Sequence, residues 1–152
     1  MKKSITLLLL ASMLFACNNP QHTENKKAAQ PAAAQHEAGP EELVLNKGAK
    51  WKVDHITGEN VKNLKAIMAG FVSGNDKTLP AYKKVDDDLQ NGLEKMIREC
   101  KMQGPDHEAL HKWLEPLMEQ VSTLKQAATV AAAGQAFNVI QSQVNRYDQY
   151  FE

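Results

Sequence analysis

The sequence predicts an all-α protein: an antiparallel four-helix bundle preceded by a signal peptide and a disordered tether. Three observations predict it. In four separate segments beyond residue 58, apolar residues recur three and four apart, the spacing of one helix face. The breaks between segments are short and carry turn residues, as in Ser73-Gly74-Asn75 and Gly104-Pro105. Nothing in this span reads as a pair of strands.

The first element is the leader, residues 1–16. Lys2 and Lys3 give a positive start, and Ile5 to Leu14 is an apolar run too short for a spanning helix. Leu14-Phe15-Ala16-Cys17 then resembles the lipobox of bacterial lipoproteins. The resemblance implies cleavage after Ala16, lipidation of the Cys17 sulfur and acylation of the new amino terminus. Several acyl chains anchor stably where one binds marginally. Residues 17–42 form the lipidated cysteine and its linker. They are rich in Ala, Gln, Pro and Asn without an apolar period, and they contain His22 and His36, read as solvated. A flexible chain of this length spans about 25–30 Å on average.

The helical domain is expected over residues 43–152. Leu43 to Val53 forms an extended strap through Leu43, Val44, Leu45, Trp51 and Val53. The first helix runs from about Glu59 to Val72, capped by Thr57 or Gly58, with Val61, Leu64, Met68 and Phe71 inward. The second begins near Pro80 and reaches about Cys100, on a seam of Tyr82, Val85, Leu89, Leu93, Met96 and Cys100. Asp86-Asp87-Asp88 lies in it as a solvated face. The third starts at Gly104-Pro105 and runs to about Gln126, with Leu110, Leu114, Leu117, Val121 and Leu124 inward and a kink at Pro116. The fourth runs from about Val130 to Tyr150 on Ala133, Phe137, Ile140, Val144, Tyr147 and Phe151, weakened at its start by Gly134. Short loops make such helices antiparallel neighbours.

Charge and cysteine count narrow the function. Eighteen basic and eighteen acidic residues balance in the whole chain, and loss of Lys2 and Lys3 leaves 16 against 18. No basic stripe exists, so no nucleic-acid partner is expected. With Cys17 lipidated, Cys100 is the one remaining thiol, which rules out a disulfide framework.

Bundle topology brings the end of the second helix and the start of the third to one end, beside the start of the first and the end of the fourth. Cys100, Met102, His107 and His111 should meet there, with Trp51, His55, Tyr147 and Tyr150 as neighbours. His107 and His111 are four apart, so their side chains share a face at about 5–6 Å between Cβ atoms, a spacing that suits chelation. Thiolate and thioether favour Cu(I), while imidazole suits copper and zinc alike. The set therefore favours copper, with zinc the other choice. Met118 stands one helical repeat beyond His111 and is read as core. Cys100 ends a helix, where the macrodipole disfavours a thiolate, so it is a poor free nucleophile unless a cation is bound.

His107-Glu108-Ala109-Leu110-His111 also matches the His-Glu-x-x-His pattern of zinc peptidases, with Glu108 as general base. No third ligand follows: Glu115 and Glu119 are close on the same helix, and no strand is available to hold a peptide. Catalysis is therefore not expected. Neither a nucleotide nor a covalently attached haem is expected, since there is no Cys-x-x-Cys-His pattern.

The segment Cys100-Lys101-Met102-Gln103-Gly104-Pro105-Asp106-His107-Glu108-Ala109-Leu110-His111 resembles a Cys-x-Met-x-Gly-x-x-His-x-x-Leu-His signature of small envelope lipoproteins and periplasmic proteins of the Bacteroidota. Leu45-Asn46-Lys47-Gly48-Ala49-Lys50-Trp51-Lys52 is similar to that family's opening Leu-Asn-x-Gly-x-x-Trp-Lys. The resemblance spans residues 43 to 151, implies a helical periplasmic domain and carries no activity with it. The expectation is a membrane-anchored envelope lipoprotein that binds copper or zinc for buffering, sensing or delivery. The alternative is a metal-free lipoprotein that docks an envelope partner through a bundle face or the Trp113 surface. A zinc hydrolase comes third. Asn18 and Asn19, without an acidic run, point to the outer membrane and its periplasmic side.

Overall fold

The computed structural model describes residues 42–152. The signal peptide 1–16, Cys17 and the linker as far as residue 41, with His22 and His36, lie outside the described residues. Four helices follow one another: α1 His55–Ser73, α2 Leu79–Glu99, α3 Pro105–Gln126 and α4 Val130–Tyr150. Among the described residues none of these helices is long and apolar enough to cross a membrane.

Helix starts follow from side chains able to take up free backbone donors. Asp54 accepts the Thr57 N–H at 2.6 Å, so α1 opens earlier than expected and Thr57, the expected cap, is buried inside its first turn. Burial would raise the Asp54 carboxyl, but hydrogen bonds from Thr57 and from the Lys101 N–H, with the Lys101 charge, hold it below its ordinary range. Thr78 caps α2, with Pro80 in the first turn, and Thr129 caps α4 by accepting the Ala132 N–H at 3.1 Å. Helix α3 starts at Gly104, whose φ of +70° is a backbone state that glycine tolerates and most residues do not. Pro105 then fits the first turn.

Two lysines close helix C-termini. Lys77 donates to the carbonyls of Phe71 at 2.5 Å and Gly74 at 2.6 Å, and Lys83 to those of Leu124 and Lys125. Cations there complement the helix dipole and satisfy carbonyls that have no partner within the helix.

Helix α1 packs chiefly on α2 and α3 on α4, and the α2–α3 contact joins the two pairs. Cross-links such as Asn60–Glu99, Lys83–Leu124 and Lys65–Asp148 give the antiparallel order of a four-helix bundle. The predicted seams form its core: Leu64, Leu89, Leu93, Leu110, Leu117, Leu124 and Ile140 are fully buried. Each such side chain contributes about 1.5–3 kcal/mol relative to exposure. Gly92 allows a close approach of α1 to α2; a Cβ there would lie 2.7 Å from Leu64 Cδ2. Helix α3 continues through Pro116 without a break.

Three expectations are corrected. Trp113 offers no docking surface: it is 0 % exposed. Its Nε1–H donates to the Gln143 carbonyl at 2.9 Å, while Gln143 Nε2 donates to the Trp113 carbonyl at 2.8 Å. This reciprocal tie satisfies the indole and the amide inside the α3–α4 interface. Asp86 does not join Asp87 on a solvated face. It is 1 % exposed, and burial, then the nearby Asp87 charge, pushes its carboxyl up against the opposing pull of Lys125 and Lys83. Met118 is 40 % exposed rather than core, because it follows the outward stripe of α3.

The strap is tied to the C-terminal residues and to the start of α3. The Trp51 N–H donates to the Tyr150 carbonyl at 2.7 Å, the Glu152 N–H to the Trp51 carbonyl at 3.0 Å and the Val53 N–H to the Glu152 carbonyl at 3.1 Å. The Lys52 N–H donates to Asp106 Oδ1 at 3.0 Å, which fixes the strap against the start of α3.

Candidate functional site

The end of the bundle at which the donors should meet is assembled as the topology requires. Asp54, at the start of α1, reaches the Lys101 N–H of the α2–α3 turn at 3.4 Å, and Asp106, in the first turn of α3, holds the strap. Cys100 is the C-cap of α2, its N–H donating to the Met96 carbonyl. It is the only free cysteine among the described residues. Cys100 and Met102 are half-buried and pack against the hydrophobic core.

His107 and His111 come together as their spacing requires. Their Nε2 atoms lie 3.2 Å apart, with ring centroids 4.6 Å apart and ring planes inclined at 68°. Helix α3 supplies this geometry by itself, since residues four apart stand one above the other on the same face. The His111 side chain is 50 % exposed, so the pair opens outward.

The Nε2 separation carries chemical information. Two nitrogens bound to one tetrahedral ion at about 2.0–2.1 Å are about 3.3–3.4 Å apart. Two nitrogens in linear coordination at the same bond length would be about 4 Å apart. At 3.2 Å the pair stands slightly inside the width of a tetrahedral edge. The same width suits a proton shared as an N–H···N hydrogen bond, so an ion and that proton compete for one position.

His111 Nδ1 lies 3.4 Å from Glu115 Oε1. A carboxylate at Nδ1 favours the tautomer that leaves the Nε2 lone pair free and makes it a better donor. Sequence reasoning takes Glu115 only as a third ligand and rejects it; its place beside Nδ1 is legible in the four-residue steps from 107 to 111 to 115. Glu108, the would-be general base, is exposed and borders a small recess with Leu43, Val44, Trp51 and Lys112.

The expected four-donor set is brought together only in part. Among the described residues, no three His, Cys, Asp or Glu side chains are grouped to hold a metal ion. The two imidazoles form a bidentate edge that Cys100 does not complete. Of the expected neighbours, exposed His55 sits by Glu59, its Nδ1 3.8 Å from Oε1, and Trp51 binds into the strap. Tyr147 is buried and its phenol is pushed up to about 12 by burial and by the charges of Asp148 and Asp54, so it is a neutral hydroxyl at ordinary pH.

A groove of about 660 Å³ lies at the opposite end, between α1 and α2, bordered by Ile67, Phe71, Pro80 and Lys84. Comparison of the chain with family models, curated proteins and solved structures finds no match.

Proposed function

We propose that this protein is a membrane-anchored envelope lipoprotein that binds a copper or zinc ion through His107 and His111, in metal buffering, sensing or delivery. The observation that carries this reading is the 3.2 Å separation of the two Nε2 atoms, with Glu115 set at the far nitrogen of His111. The anchor is the lipidated Cys17, supported by the order of charge, apolar run and small residue before it. Imidazole serves zinc and copper alike, and without Cys100 in the set the thiolate that would favour copper is not at the pair, so both ions are kept. Two donors on an open face suit exchange of the ion, since closed four-ligand sites are structural ones. The role is non-enzymatic: a water activated at this pair would lack the third protein ligand that catalytic zinc sites use.

Competition titration against a chromogenic chelator tests the reading, using Zn(II) and, under anaerobic reducing conditions, Cu(I). The wild-type chain is expected to bind with an affinity that falls on acidification, because protons and metal compete for the same lone pairs. His107→Ala/His111→Ala should lose that binding while Cys100→Ala keeps it. Equal binding by the wild type and the histidine variant would end the proposal.

A further inference from the structure

The His107–His111 pair supplies half of a tetrahedral shell. Zinc in closed sites takes four ligands, and no third His, Cys, Asp or Glu side chain joins the pair among the described residues. The missing half must come from outside this face of the chain. The pair projects from one outward stripe of α3, followed by Glu115 and the 40 %-exposed Met118.

Tetrahedral geometry has a property that bears on where the other half comes from. A two-fold axis through the central ion exchanges one edge with the opposite edge. A chain that offers one well-formed edge can therefore complete the shell with an identical edge from an identical chain, in the isologous arrangement of most homodimers. We infer that the ion bound by His107 and His111 is shared with the same two residues of a second copy of this chain, so that metal loading and self-association are a single event. This rests on the metal reading above. The crossing of the two α3 helices would cover both His111 side chains and place the exposed Met118 stripes against the partner. The ion supplies the affinity, so the pairing is reversible and follows the metal concentration by mass action.

The test is a titration of Zn(II) alone into the full-length chain in detergent micelles. Bound metal is read by chelator competition and protein mass by sedimentation. Saturation is expected at about one ion for every two chains, the number that two edges of a tetrahedron give. The protein mass should double over the same range and return when a chelator removes the metal. Co(II) in place of Zn(II) should give the intense visible bands of tetrahedral coordination. His107→Gln and His111→Gln, each with one donor left and the helix face otherwise kept, should stay monomeric and folded by circular dichroism. Saturation at about one ion per chain, with the mass unchanged, would refute the shared site and leave the metal reading standing, water filling the other positions. Absence of saturable binding would overturn both. A dimer that persists in both glutamine variants would refute the coupling of metal to association.

Discussion

Helix α3 has two faces built from one sequence, and they obey different rules. Its inner face, Leu110, Trp113, Leu114, Leu117, Val121 and Leu124, is buried, and Trp113 is locked to Gln143 by two reciprocal hydrogen bonds. On its outer stripe, His107, His111, Glu115 and Met118, the histidines meet each other and His111 meets Glu115. On the inner face the Trp113 indole and the Gln143 amide each have their partner within the fold. On the outer stripe the two Nε2 atoms face one another, with Glu115 behind His111, and their separation is close to that of a metal chelate. Stability therefore belongs to the first face and binding to the second, and substitutions should separate the two.

Trp113→Ala should have the largest effect. It removes a fully buried indole and strands the Gln143 carbonyl, at a cost of about 3–5 kcal/mol read by urea denaturation. If it lowered stability by less than the usual surface range of about 0.5 kcal/mol, the inner face would not be the determinant described here. His107→Ala/His111→Ala should do the reverse, changing stability by no more than about 0.5 kcal/mol without metal while abolishing metal binding. A loss of stability comparable to that of Trp113→Ala would mean that the pair is structural. Glu115→Gln should weaken Zn(II) binding by about 10–100-fold with both ligands in place, as for other carboxylates behind metal-bound histidines. Unchanged affinity would remove Glu115 from the site.

Asp86→Asn gives the smallest effect and extends the contrast to α2. The Asp86 carboxyl is raised in the folded protein, so its proton is held more tightly there than in the unfolded chain. Its contribution is full below the ordinary value of 3.8 and is lost as pH rises through the elevated folded value. Wild type should therefore lose stability from about pH 4 upward on account of this group. Asp86→Asn should remove that slope and be about 1 kcal/mol more stable than wild type at pH 7, by sparing the burial of an unpaired charge. Parallel denaturation curves at the two pH values would check it, and an identical slope in both proteins would contradict the assignment.

The bundle was legible in the sequence because its seams are periodic and its breaks carry strong turn residues. Val130–Tyr150 follows its predicted bounds, and Pro105 opens α3 as expected. Boundaries slipped where two residues competed for one cap: Asp54, four residues before Gly58, takes the start of α1 because its carboxylate accepts the Thr57 N–H. Composition treats three successive aspartates alike, whereas the helical turn buries the first and sends the second to solvent. Trp113 and Met118 were exchanged for a related reason. Trp113 continues the Leu110 side of α3, and Met118 lies seven residues beyond His111 on the outer stripe. The histidine pair was legible because a spacing of four on one helix leaves little freedom. The distance of Cys100 from completing it was not, since that depends on how the α2–α3 turn is drawn onto the core.

The most direct test of the central claim is a long-range ¹H–¹⁵N correlation spectrum of the imidazole rings during Zn(II) titration. The Nε2 signals of His107 and His111 should shift together and saturate together, while those of His55 stay in place. Movement of only one of the pair, or of neither, would contradict the claim that the two nitrogens hold one ion between them.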